Sequence, residues 1–366
     1  MMGIAFTTYG ITALLCYFPG GYIADKYDTR KLLSISLVLT SLGGLMLLFY
    51  PNFYFLCFIY GYWGITSILF CWSALIKATR IIGKDKQGRS FGVLEAGRGF
   101  VAAIFSSIAV ILFSSKSLHN FLSNYINLKT SPISIVIIFY SLITFIAGLI
   151  VWFFYKNESN NNKPINFKVS FNKISKFYKV IIYQSLIVLS AYSSYKGIDY
   201  YSQYFYEVLN YSKEKAAVTM SNFSYLRPIC ALIAGLVADK IYASKSSIYL
   251  FLLMILSFLF LIFFSSNINM NLLIIINILT SMIAVFALRG IYFCYLKEKN
   301  IPSSITGISV GIISLIGFFP DVYIGPIFGI IIDTYDSPKA FNLCFCFLLL
   351  ISTIGFISSY KLFKKK

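Results

Sequence analysis

The sequence predicts an all-α multi-pass membrane protein, and three observations carry that prediction. Across 366 residues, 58% are hydrophobic and only 12% charged, with a mean hydropathy of +0.78, so too little polar surface remains to cover a water-soluble domain. A hydrocarbon core about 30 Å thick takes about 20 apolar residues of helix, and eleven runs reach that length. The basic residues are unevenly placed. With the turn after Asp25 taken as cytoplasmic, 22 of the 31 Lys and Arg residues fall in inner loops and the tail, 5 in outer loops and 4 in the spans. This distribution explains the net charge of +18 by membrane orientation, without nucleic acid as a partner.

The spans fall at 3–24, 32–50, 53–76, 90–114, 133–155, 180–206, 216–238, 246–265, 271–296, 303–331 and 340–360. Runs this long and unalternated choose helix, because in lipid each segment must satisfy its own backbone. The first has no basic start and ends in the Gly-rich acidic turn at Asp25, unlike a cleaved signal peptide. Inner basic clusters follow at Lys26/Arg30/Lys31, at Lys77/Arg80/Lys84/Lys86/Arg89, from Lys156 to Lys179, and at Lys361/Lys364/Lys365/Lys366. They orient the chain and meet anionic lipid. The interruption at 156–179, with Asn160, Asn161, Asn162 and Pro164 before an apolar/basic pattern, reads as a cytoplasmic linker carrying a short interfacial amphipathic helix. It separates an N-terminal bundle, 1–155, from a C-terminal bundle, 180–366.

The two halves repeat. Gly21-Tyr22-Ile23-Ala24-Asp25-Lys26 is matched by Gly235-Leu236-Val237-Ala238-Asp239-Lys240, with the aspartates 214 residues apart. Gly92 and Gly307, each opening a later run, stand 215 apart. Two copies of one multi-helix unit are the arrangement on which alternating-access transporters are built.

Catalysis is unsupported. The single histidine, His119, lies in a predicted outer loop with no Ser/Asp or Cys partner at a recognisable spacing. All seven cysteines fall inside spans without a CxxC, as packing residues rather than metal ligands or a disulfide frame. Gly83-Lys84 is followed by Asp85 and lacks the earlier glycine of a phosphate loop. No catalytic residue, cofactor or metal is expected.

The segment Gly20-Gly21-Tyr22-Ile23-Ala24-Asp25-Lys26-Tyr27-Asp28-Thr29-Arg30-Lys31 resembles the signature loop between helices 2 and 3 of the major facilitator superfamily, and the Gly235 segment its counterpart between helices 8 and 9. Span count, linker position and repeat offset extend the likeness over the whole chain. The resemblance implies a two-bundle fold on a twelve-helix plan. Only some twenty residues precede the signature, so the visible spans correspond to helices 2–12 and the first helix is expected to be missing. The span 53–76 also lacks an arginine often found there, so the family's charge relay is not carried over to it. In such transporters the bundles rock about a central site and cytoplasmic contacts lock one state. Gly21, Asp25 and Arg30 on the first bundle, and Gly235, Asp239 and Arg289 on the second, are the gate candidates; the alternative is that they only terminate and orient helices.

A charge at bilayer depth costs at least about 2.5–3.5 kcal/mol, so each needs a partner, water or ligand. Glu95/Arg98 and Lys196/Asp199 are spaced i,i+3, allowing neutralisation on one helix face. Arg227 has no acid within a turn and must look across to Asp199, Asp321 or an anionic solute. Glu95, Arg98 and Asp321 are candidate proton-coupling groups. The order Asp199, Tyr204, Glu207-Val208 is similar to helix 7 of the organophosphate:phosphate antiporter branch. That branch carries a substrate-binding arginine where this chain has Ser194, with Lys196 as the nearby base. Lysine binds an anion as a point charge, without the bidentate fork. Lys196, Asp199, Arg227, Trp63 and Tyr200 are therefore the candidate solute contacts, with Tyr192 as a further aromatic that could line a cavity. Gly307 and Gly311 make a small-xxx-small step suited to close helix packing. These features imply secondary active transport of a small polar, anionic organic solute, with a proton or counter-ion as coupled partner. The chain is expected in the cytoplasmic membrane as a monomer, with its linker and C-terminus inside. The competing class is a transporter-like sensor that binds solute without flux; a third alternative is a nonfunctional fragment.

Overall fold

A computed structural model describes residues 2–114, 131–155, 173–266 and 270–364. His119, most of the expected linker, and the lysines at 365 and 366 lie outside them. The helices are α1 (Met2–Lys26), α2 (Thr29–Met46), α3 (Phe53–Ile65), α4 (Ser73–Gly83), α5 (Gln87–Ser114), α6 (Pro132–Phe154), α7 (Tyr178–Gly197), α8 (Tyr201–Glu207), α9 (Lys213–Ser224), α10 (Leu226–Ile241), α11 (Ala243–Phe264), α12 (Asn271–Ile291), α13 (Tyr295–Glu298), α14 (Thr306–Gly317), α15 (Pro320–Thr334) and α16 (Lys339–Lys364). Short side chains set several starts. Asp28 caps α2 through the Arg30 amide at 2.8 Å, Asn52 caps α3 through Phe55 at 2.9 Å, and Ser212 caps α9 through Lys215 at 3.2 Å.

Nine helical segments among the described residues are long and apolar enough to cross a membrane. The sequence predicts eleven. The two that fall outside the nine, α1 and α7, are helical, and α7 is the more polar of them, carrying Gln184, Ser185, Ser190, Ser193 and Ser194, all buried. Where Gly197 breaks the run, the chain tightens into a 3-10 turn, Ile198–Tyr200, before α8. Between α3 and α4 the backbone widens into a π-helix, Thr66–Trp72.

Two compact units divide the chain. Unit 1 holds Met1–Ala78, Phe100–Phe171 and Ser303–Gly311; unit 2 holds Thr79–Gly99, Asn172–Pro302 and Ile312–Lys366. Unit 2 takes in the end of α4 and the start of α5, and unit 1 the start of α14. In unit 1, α2 packs on α6 with Ser34 Oγ donating to the Gly148 carbonyl at 2.8 Å, and α1 packs on α3. In unit 2, α16 packs on α7 and α11 around Phe251, Met254, Phe258, Leu261, Phe341 and Phe345, all nearly inaccessible.

Candidate functional site

In unit 1, Asp25 ends the apolar run of α1 and meets the first turn of α14. Its Oδ1 accepts from the Gly307 amide at 2.7 Å and its Oδ2 from Ile308 at 2.9 Å. Helix starts leave such amides unsatisfied and carry partial positive charge, so a carboxylate suits them. Lys77 stands 3.5 Å from Asp25 Oδ1 and donates to the Ala24 carbonyl at 2.8 Å. Gly21 permits the approach. A Cβ there would lie 2.4 Å from the Gly307 carbonyl oxygen, and one on Gly311 would lie 2.6 Å from that of Tyr17. Arg30 does not join Asp25; its guanidinium lies over the Trp152 ring at 5.8 Å.

Unit 2 repeats this arrangement at the start of α5. Asp239 Oδ1 accepts from the Gly88 amide at 2.6 Å and Oδ2 from Arg89 at 2.8 Å. A Cβ on Gly235 would lie 2.2 Å from the Gly88 carbonyl oxygen. The turn before α5 is held as well: Lys297 Nζ is 2.5 Å from Asp85 Oδ1, and Arg80 donates to the carbonyls of Leu296 and Ile301. That ammonium holds the exposed Asp85 carboxyl below its ordinary pKa. The expected pairing of Asp239 with Arg289 is corrected here, because Arg289 engages a different acid.

That acid is Glu95. Its Oε1 accepts from Arg227 Nε at 3.0 Å, Arg227 Nη2 at 2.6 Å and Arg289 Nε at 2.8 Å, while Oε2 accepts from Arg98 Nη1 at 3.1 Å. Glu95 and Arg289 are 3% and 7% exposed, so both charges are desolvated and their pairing is obligatory. The predicted i,i+3 contact of Glu95 with Arg98 is present, but it is one of three. Arg227 faces Glu95 rather than Asp199 or Asp321, a correction that sequence could not supply across 132 residues. One carboxylate thus stands among three guanidiniums. The Arg289 guanidinium lies 3.7 Å from the Tyr195 ring centroid, and its buried Nη1 has no hydrogen-bond partner.

A second ionic group neighbours the first through Tyr192 and Tyr195, whose rings are 5.7 Å apart. Lys196 Nζ stands 3.3 Å from Asp199 Oδ2 and 3.6 Å from Asp321 Oδ1, and the Tyr192 hydroxyl donates to Asp321 at 3.0 Å. Lys196, Asp199 and Asp321 are 31%, 60% and 38% exposed as side chains, accessible to a solute where Glu95 is not. Tyr200 packs on Phe328 at 5.1 Å, and its hydroxyl reaches the Gly325 carbonyl at 3.4 Å. Trp63 belongs to unit 1, where its Nε1 donates to the Thr40 carbonyl at 3.0 Å, a packing role between α3 and α2. Sequence reasoning missed Tyr195 and the role of Gly88, and read Lys77 only as part of a basic cluster. Its position at the end of an apolar run was the available signal.

A sequence model for the Major Facilitator Superfamily matches residues 1–294. The chain is 28% identical over 351 residues to the inner membrane protein YqcE of Escherichia coli K12, covering 93% of this chain and 80% of that one. It is 26% identical over 378 residues to the inner membrane protein YihN of the same organism, covering 100% and 86%. Among solved structures it resembles an E. coli fucose:proton symporter, with a TM-score of 0.73 at 14% identity over 98% of this chain and 90% of that one. It also resembles a bacterial homologue of the iron transporter ferroportin in an outward-facing state, with a TM-score of 0.72 at 12% identity over 98% and 89%. At these identities the likeness to the solved structures is one of fold.

Proposed function

Because the chain belongs to the Major Facilitator Superfamily and is a multi-pass membrane transporter, we propose that it moves a small anionic organic solute across the cytoplasmic membrane by alternating access. The observation that carries the charge assignment is the surplus of guanidinium over carboxylate around Glu95, with a buried Arg289 nitrogen left without an acceptor. A low-dielectric site holding excess positive charge favours an anion. Lys196, Arg227 and Arg98 attract the solute, Tyr192 and Tyr195 give it an aromatic wall, and Glu95 keeps the arginines in place. Asp321, between a lysine and a tyrosine hydroxyl, is the group placed to couple a proton. The solved structures it resembles are described as a fucose:proton symporter and a bacterial homologue of the iron transporter ferroportin, so the solute class here rests on this chain's residues. The protein acts as a monomer, with linker and C-terminus inside.

Counterflow of labelled organic anions in proteoliposomes tests the reading, using a panel of phosphate esters, carboxylates and neutral sugars. Transport confined to neutral solutes would overturn it. The Lys196/Asp199 pair supplies a finer test. Lys196→Ala should weaken solute affinity about tenfold by removing an attractive charge, and the double change Lys196→Ala/Asp199→Ala should recover thermal stability but not affinity. Affinity restored in the double variant would make the pair structural and leave Arg227 as the anion contact.

In the alternating-access cycle, the aspartate bonds to the starts of α14 and α5 form and break. Asp25→Asn keeps one acceptor but loses a charge-assisted bond worth about 1.5–3 kcal/mol and leaves the Lys77 ammonium without its carboxylate. The variant should insert normally and shift toward the state in which α1 and α14 part. Reactivity of single cysteines placed along these helices reports the shift; unchanged reactivity with normal transport would reduce the motif to helix termination.

A further inference from the structure

A cavity of about 810 Å³ opens in unit 2; its lining includes Lys176, Phe177, Glu298, Phe363 and Lys364 and none of the residues around Glu95 or Lys196 described above. Four helix ends build it: the start of α7, the junction of α10 and α11, the end of α13 and the end of α16. Tyr242 lies three residues beyond Asp239, so the cavity sits on the face that positive-inside counting assigns to the cytoplasm. Tyr242 and Asn300 hold φ values of 72° and 53°, conformations that L residues rarely adopt, and both line the space. The single acid, Glu298, is already engaged. It accepts from the Ser244 amide at 3.0 Å and from the Ser244 hydroxyl, and lies 3.5 Å from Lys299. Lys299 is thereby neutralised, while Lys176 and Lys364, the latter with its ammonium 4.9 Å from the Tyr360 ring centroid, are exposed and add positive charge beside the apolar surfaces of Phe177 and Phe363.

Positive charge above an apolar wall at a membrane surface matches one ligand chemistry, an anionic phosphate joined to hydrocarbon. We propose that this cavity binds the phosphate headgroup of an anionic membrane lipid, with Lys176 and Lys364 facing the phosphate and acyl chains lying along Phe177 and Phe363. Basic pockets between helices on the cytoplasmic side take such headgroups, and each lysine near the surface adds attraction.

The test is native mass spectrometry of the full chain in detergent, titrated with phosphatidylglycerol or with phosphatidylcholine of the same acyl chains. The unmodified protein should retain phosphatidylglycerol in preference. Lys176→Gln/Lys364→Gln should lower its retention about tenfold or more, whereas Lys26→Gln/Lys31→Gln, which removes equal charge elsewhere, should lower it far less. Equal loss in both double variants would overturn the site in favour of a generally basic surface. Millimolar inorganic phosphate should neither displace the lipid nor raise the unfolding temperature. If it does both, the ligand is a soluble phosphate and the lipid assignment fails.

Discussion

Glu95→Gln should cost about 3–5 kcal/mol of stability, with transport abolished. Removing one partner of a buried ionic group leaves the others desolvated and unpaired, and here three guanidiniums share the one carboxylate at 2.6–3.1 Å. Glutamine keeps the shape and one acceptor oxygen but no charge. The second variant, Glu95→Gln/Arg289→Gln, should recover part of the loss, because the most buried of the three arginines goes with its counter-charge. Unfolding temperatures in detergent for the single and double variants decide the matter. A Glu95→Gln protein as stable as the unmodified chain would overturn the cluster as a buried ionic unit.

Gly235→Ala should be at least as damaging, for a steric reason. The added Cβ would stand 2.2 Å from the Gly88 carbonyl oxygen and within 3.1 Å of the Gly92 Cα, so backbone faces backbone and no side chain can rotate away. The start of α5 must retreat from α10, stretching both Asp239 bonds, at 2.6 and 2.8 Å, beyond use. Overpacking costs about 1–3 kcal/mol, and each lost charge-assisted bond about 1.5–3 kcal/mol more. Transport should fall at least about tenfold by the exponential relation between free energy and rate. Gly97→Ala is the control on α5, since nothing lies within 4 Å of the Cβ it would add. Equal activity of Gly235→Ala and Gly97→Ala would remove close helix approach from the explanation.

Much of the fold was legible because lipid makes it so. Apolar length and the ban on unsatisfied backbone act locally, and they located α2, α6, α11 and α16 from hydropathy alone. They located α7 too, although its serines and Gln184 are polar and buried; Gln184 Nε2 donates to the Tyr292 carbonyl at 2.9 Å inside unit 2. The repeated Gly-x-x-x-Asp turns were visible too, and both aspartates do meet helix starts.

What the sequence determined by itself was the class of the protein, its repeated design, and that Arg227, Arg289 and Glu95 could not stand alone in an apolar segment. Tertiary structure decided which groups answered one another: Arg227 and Arg289 converge on Glu95 from 132 and 194 residues away, and Asp25 finds amides 282 and 283 residues beyond it. The physical reason is that a desolvated charge demands compensation wherever it lies, so its need is written locally. Hydropathy and helix period carry no distance information across the chain, and the choice of partner is fixed only when helices with small residues at their contacts come close enough for carboxylate, guanidinium and amide to touch.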